Sequence, residues 1–185
     1  VSGTLATTNN FSLNSNRGIT ISGNSGIAVG SGFTTTYGGI ISGTGNLNVS
    51  GGGTLDLTGI SSTYQGSTTI NSSTLRISAD TSLGAVPVSP VTTQINLVSG
   101  TLATTNNFSL NSNRGITVSG GSGIAVSSGS TITYGGILAG TGGVTVSGGG
   151  TLVLTGVQNT YDGVTTVDSS ILRISDDNSL GPAPV

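Results

Sequence analysis

The 185 residues carry a formal net charge of −2, from four arginines and six aspartates, and the chain has no His, Cys, Met or Trp. Without clustered basic side chains it lacks the electrostatic features that bind nucleic acid or an anionic membrane, so we exclude both as partners. A hydrophobic share of only 33% and 33 glycines favour a thin, repetitive core over a single thick one.

Pairs of apolar residues two positions apart recur along the chain and predict short β-strands with one buried face. In chain order the pairs are Phe11/Leu13, Ile19/Ile21, Ile27/Val29, Leu47/Val49, Leu55/Leu57, Leu75/Ile77 and Ile95/Leu97. Residues 22–26 and 147–150 are rich in Gly and Ser and predict corners, where positive φ or close backbone approach is needed. No window shows helical periodicity, so the sequence predicts an all-β fold.

The spacing of these pairs indicates how the strands are arranged. Ile27/Val29 is followed twenty residues later by Leu47/Val49, and Leu55/Leu57 is followed at twenty and forty residues by Leu75/Ile77 and Ile95/Leu97. Strands that return to one face at a fixed interval are typical of a solenoid, in which each coil buries its inner face against its neighbours. We therefore predict a parallel β-helix (β-solenoid) of about 20 residues per coil, with outward Thr and Ser in segments such as 34–37 and 68–70.

A much longer repeat is superimposed on the coils. Residues 51–78 return as residues 148–175, an offset of 97, and about three quarters of the positions paired by this offset are identical. We predict one continuous β-helix made of a first unit, residues 1–97, and a second, incomplete unit, residues 98–185. Residues 89–97 have no counterpart in the second unit.

Residues 43–78, "GTGNLNVSGGGTLDLTGISSTYQGSTTINSSTLRIS", followed by "DTSLG", resemble the autotransporter-associated β-strand repeat of bacterial passenger regions. Residues 140–175, followed by "DNSLG", resemble it as closely. The resemblance implies a right-handed parallel β-helix that is extracellular, either displayed at the bacterial outer membrane or secreted. It also implies a role as a stalk, adhesin or aggregation surface and export by a separate C-terminal translocator.

Side chains that carry out catalysis are scarce. A pair of catalytic carboxylates is not favoured. Asp176 and Asp177 are neighbours and would point to opposite faces of a strand. Asp162 and Asp168 take the places of Gln65 and Asn71 in the first unit, so the favoured interpretation is that these aspartates are solvated residues in turns. Metal-ligand patterns are absent, and without lysine there is no phosphate-binding loop. We predict no catalytic, cofactor-binding or metal-binding residues, no cofactor and no enzymatic activity.

The arginines are interpreted first as structural. Arg76 alternates with inward Leu75 and Ile77, so it should point outward and form an ion pair with Asp80, repeated as Arg173 with Asp177. Arg17 and Arg114 should lie in corners before a strand. Binding of a substrate by these arginines is the open alternative.

Aromatic and amide side chains leave two interpretations open. If exposed, Tyr37, Tyr64, Tyr134, Tyr161 and Phe33 could stack on sugar rings, although packing over a coil edge is favoured for Tyr64 and Tyr161. Asn9/Asn10 and Asn106/Asn107 are candidates for stacked amide ladders.

The leading functional hypothesis is a structural and adhesive surface segment: a stiff rod for adhesion, aggregation or fibre assembly. Its expected partners are other copies, bound end to end or laterally, and host or matrix glycans or proteins. The alternative is a carbohydrate-binding or, less favoured, polysaccharide-cleaving module. An ice-binding solenoid is a third hypothesis, but it would need outward Thr-x-Thr in every coil, whereas the triplets at 34–36 and 131–133 recur only at 97 residues.

Overall fold

Alternating apolar residues form the inner wall of a β-solenoid, as predicted. The computed structural model describes residues 2–182, and all seven predicted apolar pairs lie in strands that turn at least one member of the pair toward the interior. Within the described residues there is no α-helix, and the solenoid has about eight coils of roughly 22 residues each. At about 4.8 Å per coil, its eight coils span about 38 Å. The predicted all-β parallel solenoid is confirmed.

Most strands are short, and two 3₁₀ turns are the only helical elements in residues 2–182. The first unit contains β1 (Thr4–Thr7), β2 (Phe11–Leu13), β3 (Ile19–Ile21), β4 (Asn24–Val29), β5 (Thr34–Tyr37), β6 (Ile41–Gly43), β7 (Asn46–Ser50), β8 (Thr54–Leu57), β9 (Thr68–Asn71), β10 (Thr74–Ile77), the first 3₁₀ turn (Asp80–Leu83) and β11 (Val91–Val98). The second contains β12 (Thr101–Thr104), β13 (Phe108–Leu110), β14 (Arg114–Ser119), β15 (Gly121–Val126), β16 (Thr131–Tyr134), β17 (Leu138–Gly140), β18 (Gly143–Ser147), β19 (Thr151–Leu154), β20 (Thr160–Tyr161), β21 (Thr165–Val167), β22 (Ile171–Ile174) and the second 3₁₀ turn (Asp177–Leu180).

Each coil contributes strands to up to three faces in a fixed order. Face 1 is the sheet β1-β4-β7-β9-β11-β14-β17-β20, and face 2 is the sheet β2-β5-β8-β10-β12-β15-β18-β21. Face 3 consists of β3-β6 in the first unit and β13-β16-β19-β22 in the second. The first 3₁₀ turn lies in the chain between these two parts of face 3. Faces 1 and 2 run through both units, and β11 spans the predicted boundary at residue 97.

The register of neighbouring coils differs in part from the prediction. Leu55 pairs with Leu75, twenty residues on, as expected. Ile27 pairs with Val49 at an interval of 22, however, and Leu47 pairs with Ser25. Intervals of 20 and 22 are both even and keep the same side chains inward, so alternation cannot distinguish between them.

The predicted stacking of Ile95 and Leu97 on Leu75 and Ile77 is wrong. Leu75 pairs with Leu102 on face 2, and Ile95 pairs with Thr68 on face 1. The cause is the segment that contains the first 3₁₀ turn and two prolines, which lengthens this coil to 27 residues and carries the chain back to face 1 before the next apolar pair.

The two units are rotated relative to each other by one face. β1 and β12 have the same sequence, TLAT, but β1 lies on face 1 and β12 on face 2. The identical FSL strands β2 and β13 lie on faces 2 and 3. An offset of 97 residues therefore corresponds to four complete coils plus one face, so a side chain repeated at this offset points to a different side of the rod.

Two details of the predicted corners and outer faces need correction. β4 begins at Asn24, inside the segment predicted as a corner, whereas Gly148 and Gly149 have φ of 95° and 82° and form a corner as predicted. Thr35 and Thr68 point inward and are buried. Thr34, Thr36 and Thr69 point outward, as predicted for the Thr segments. Among residues 2–182, no helix has the length and apolar character needed to cross a membrane.

Candidate functional site: the seam between the units

The side chain of Arg114, the first residue of β14 on face 1, contacts the first 3₁₀ turn. Its Nε donates to Oδ1 of Asp80 at 3.0 Å, forming an ion pair with this carboxylate. Nη1 donates to the carbonyls of Leu83 at 3.0 Å and Ala85 at 3.3 Å, and Nη2 donates to that of Gly84 at 2.8 Å. The guanidinium is fully buried, and its donors converge on one carboxylate and a run of carbonyls, which is the arrangement a buried charge requires.

We call the contact between the first 3₁₀ turn, with Asp80, and the turn at residues 111–114 the seam. Local structure fixes both of its halves. On one side, the 3₁₀ turn begins at Asp80 and ends at Leu83, and the next residue, Gly84, adopts φ 75°, a conformation that glycine tolerates. On the other side, Arg114 N donates to the Asn111 carbonyl at 3.0 Å, while Asn111 Oδ1 accepts from Asn113 N at 2.9 Å. The main-chain N–H of Asn111 donates to Asp80 Oδ1 at 3.0 Å, so this carboxylate oxygen accepts hydrogen bonds from both Asn111 and Arg114.

The predicted pair between Arg76 and Asp80 is wrong. Arg76 lies opposite Asp56 in the adjacent strand, and their charged groups are 3.5 Å apart. Because the Arg76 side chain is 41% exposed, this ion pair contributes little to stability. Its copy Arg173 lies opposite Val153, where the second unit has lost the aspartate.

Arg17 and Arg114 occupy equivalent positions with opposite environments. Arg114 is the first residue of β14 and is inaccessible, so the substrate-binding interpretation is wrong for this arginine. Arg17 lies in an exposed turn before β3, in the corner that the sequence predicts.

All four tyrosines are buried, which removes the predicted alternative of tyrosine platforms for sugar rings. The hydroxyls of Tyr64 and Thr68 lie 2.6 Å apart, and the Tyr134 hydroxyl donates to the Arg114 carbonyl at 2.7 Å. Burial raises the pKa of Tyr64 to about 12, opposed in part by the Thr68 hydroxyl and the Arg114 charge. Burial likewise raises the pKa of Tyr134. Phe33 is half-buried and packs against the core.

The predicted amide ladders of Asn10 and Asn107 are replaced by contacts to the backbone. Asn10 Oδ1 accepts from Thr34 N at 2.7 Å, and Asn107 Oδ1 accepts from Thr131 N at 2.6 Å, so each amide anchors the start of a strand in the next coil. A side-chain amide pair forms elsewhere, where Asn46 Nδ2 donates to Asn24 Oδ1 at 2.6 Å.

The remaining acids occupy turns. Asp176 caps the second 3₁₀ turn by accepting from Asn178 N at 2.9 Å, and Asp168 Oδ1 accepts from the adjacent Ser169 hydroxyl at 3.0 Å. No group of three His, Cys, Asp or Glu residues within residues 2–182 could hold a metal ion. An apolar void inside the second unit, next to Leu102 and Phe108, has a volume of about 10 Å³, room for at most one water molecule.

The sequence contains a signal for one half of the seam. Asp80 and its copy Asp177 form the one acidic position that is aspartate in both units, whereas Asp56 is replaced by Val153. Both arginine positions are also retained, so the repeat does not distinguish Arg76 from Arg114 as the partner of Asp80. Only the path of the chain brings Arg114, 34 residues away in sequence, to this carboxylate.

The strands β7–β10 and β18–β22 also correspond to a known sequence family. The profile of the passenger-associated-transport-repeat matches residues 47–77 and residues 144–174, at equivalent places in the two units. The resemblance to repeats of autotransporter passenger regions is thereby confirmed. No curated protein and no solved structure matches the chain.

In each unit, the segment that matches the passenger-associated-transport-repeat ends just before the 3₁₀ turn. Asp80 follows the first match by three residues, and Arg114 lies between the two matches. The seam is therefore built from residues outside the matched segments. Together with the solenoid fold, the two repeats fit a structural repeat of a passenger domain.

Proposed function

We propose that this chain is a non-enzymatic structural segment of a secreted or surface-displayed bacterial protein, forming a stiff rod for adhesion, aggregation or fibre assembly. The observation that carries the proposal is the occurrence of two passenger-associated-transport-repeats in one continuous solenoid. The placement of the polar side chains supports a structural role. The four tyrosines and Arg114 lie in the interior, where they form hydrogen bonds with main-chain carbonyls and hydroxyls.

The outer surface supports contact between rods. With only 5% charged residues and a net charge of −2, little electrostatic repulsion opposes lateral approach of two copies. Outward threonines and serines supply hydroxyls along the strands. Binding of glycans is the less favoured alternative, since the tyrosines proposed as sugar platforms are buried.

The test uses beads that carry the chain in one orientation. Because all four basic side chains are arginine, the α-amino group is the single primary amine, and amine coupling attaches the chain by its N-terminus. We expect these beads to cluster, or to attach to surfaces coated with matrix proteins, more than beads coated with albumin, whereas attachment to glycan-coated surfaces alone would favour the glycan-binding alternative. Dispersed beads that attach to no surface, or release of new reducing ends from a polysaccharide panel, would contradict the proposal.

A further inference from the structure

The loop of residues 84–90, between the first 3₁₀ turn and β11, contains an accessible peptide bond. From Ala85 to Val91 no residue is buried, and the side chain of Val88 is fully exposed. Among residues 2–182, neither Val88 nor Ser89 forms a hydrogen bond with another residue. The bond between Val88 and Ser89 is therefore open to solvent and lies outside the β-ladders that hold the coils together.

Two prolines favour an extended backbone on either side of this bond. Val86 and Ser89 each precede a proline, whose ring disfavours the helical conformation for the residue before it. Proteins that bind a peptide as an added strand use main-chain hydrogen bonds for affinity and pockets for side chains for specificity. Residues 85–90 need little reorganisation to enter a protease cleft that binds its substrate in this way.

The side chains of the loop indicate which class of protease it fits. Serine proteases select the residue before the cleaved bond by a single pocket, which holds an aspartate in trypsin and is small in elastase. Residues 85–88, Ala-Val-Pro-Val, place a short aliphatic side chain in that position. Because residues 84–90 include no charged or aromatic side chain, the small apolar pocket of an elastase-type enzyme is the one that fits.

Asn113 holds the exposed segment from both sides. Its Nδ2 donates to the Pro87 carbonyl at 2.8 Å, and its main-chain carbonyl accepts from Val91 N at 2.9 Å. Only residues 88–90 lie between these two bonds. A protease surrounds the residues before the cleaved bond, so the contact between Asn113 and Pro87 opposes docking of the loop and sets how readily it is cut.

A second exposed valine shows what distinguishes the loop from other corners. Val157 lies between β19 and β20, and its side chain is 48% exposed. Leu154, Gly156 and Asn159 near it are buried, however. A protease cannot bind these neighbours without opening the coil, whereas Val88 has no buried neighbour within three residues on either side.

We propose that the Val88–Ser89 bond is a processing site for an elastase-type serine protease, and that the cut rod stays assembled. The protease serine oxygen bonds to the Val88 carbonyl carbon, and the bond to the Ser89 nitrogen breaks as that nitrogen takes a proton from the protease histidine. Water then releases Val88 as a carboxylate. Across the cut, β9 still pairs with β11, β10 pairs with β12, and Asp80 binds Arg114.

Digestion of the folded chain with pancreatic elastase tests the proposal. Mass spectrometry should place the first cut after Val88, and the two pieces should co-elute in gel filtration and separate in urea. Val88→Asp should slow this cut at least about 10-fold, because it brings a carboxylate to an apolar pocket. Val157→Asp, the matched change at the other exposed valine, should leave the rate unchanged.

Two further variants test the position of the bond and its restraint. Val88→Arg should create a trypsin cut at the same bond, which shows accessibility independently of elastase. Asn113→Ala frees the Pro87 carbonyl and should accelerate the elastase cut about 5-fold. Circular dichroism of each variant confirms that it is folded.

A first cut at any other bond would overturn the proposal, as would a folded chain that resists elastase under conditions that cut the urea-unfolded chain. Pieces that separate without urea would overturn the assembly of the cut rod. The inference goes beyond the proposed rod function. The bead assay uses the uncut chain, so failure of the processing site leaves its result unchanged.

Discussion

Oδ1 of Asp80 lies 3.0 Å from both Nε of Arg114 and the main-chain nitrogen of Asn111. This carboxylate thereby joins the first 3₁₀ turn to the turn between β13 and β14. The contact takes the place of strand pairing on face 3, where the sheet is interrupted between β6 and β13.

Arg114→Met should destabilise the chain strongly. It leaves the Asp80 carboxylate and several carbonyls without their buried donor, at a cost of about 3–5 kcal/mol. Arg17→Met is the matched control in the same local sequence and should stay within about 0.5 kcal/mol, since Arg17 is exposed. Equal changes in the free energy of urea-induced unfolding would contradict the role of the seam.

Gly140→Ala should be destabilising by about 2 kcal/mol or more. Gly140 has φ 116°, and a Cβ there would lie 2.1 Å from the Val118 carbonyl oxygen of the preceding coil. Gly121→Ala is the control, because its Cβ would meet nothing within 4 Å, and the first unit has Asn24 at this position. Thermal unfolding that responds equally to both changes would show that the coils are not stacked this closely.

Alkaline pH should unfold the chain through its buried tyrosines. An unfolded tyrosine ionises near pH 10, whereas burial raises the pKa of Tyr64 to about 12. Between these values the folded state binds more protons than the unfolded state, so stability falls as pH rises, by up to about 3 kcal/mol for Tyr64. Urea-induced unfolding followed by circular dichroism at several pH values measures this loss. The Tyr64→Phe variant should lose less stability, and an identical pH dependence would contradict the assignment.

Thr35→Ile should raise the free energy of unfolding by about 1 kcal/mol, because it buries additional apolar surface. The second unit already has Ile132 at this position, between Phe108 and Leu152. Thr7 loses its 2.7 Å contact with Thr35 but keeps the Ala28 carbonyl at 3.4 Å. Thr35→Ala should instead be destabilising, and a Thr35→Ile chain that loses as much stability as Thr35→Ala would contradict the inward placement.

Strand positions could be predicted from the sequence because alternation reports directly which side chains point inward. Register could not, because Ile27 faces inward whether it pairs with Leu47 or with Val49. Ile95 was assigned to the wrong face because its position depends on the path of the intervening loop, which periodicity does not describe.

The partner of Asp80 could not be predicted from the sequence either, because it too depends on the path of the chain. Asp80 is four residues from Arg76, but it binds Arg114, which is 34 residues away in sequence. Short sequence separation favours a pair only when both side chains lie on the same surface. Here Arg76 points outward from face 2, and Asp80 lies in the turn beyond it.

Disulfide formation between engineered cysteines tests the register across the seam most directly, because the chain has no cysteine of its own. Arg76 and Ala103 are paired in adjacent strands, at a spacing of about 4.8 Å that a disulfide can bridge. We predict that Arg76→Cys/Ala103→Cys oxidises to an intramolecular disulfide, whereas Arg76→Cys/Asn96→Cys, the pair that a uniform interval of 20 residues would bring together, stays reduced. The opposite result would contradict both the long coil at the seam and the rotation of the second unit by one face.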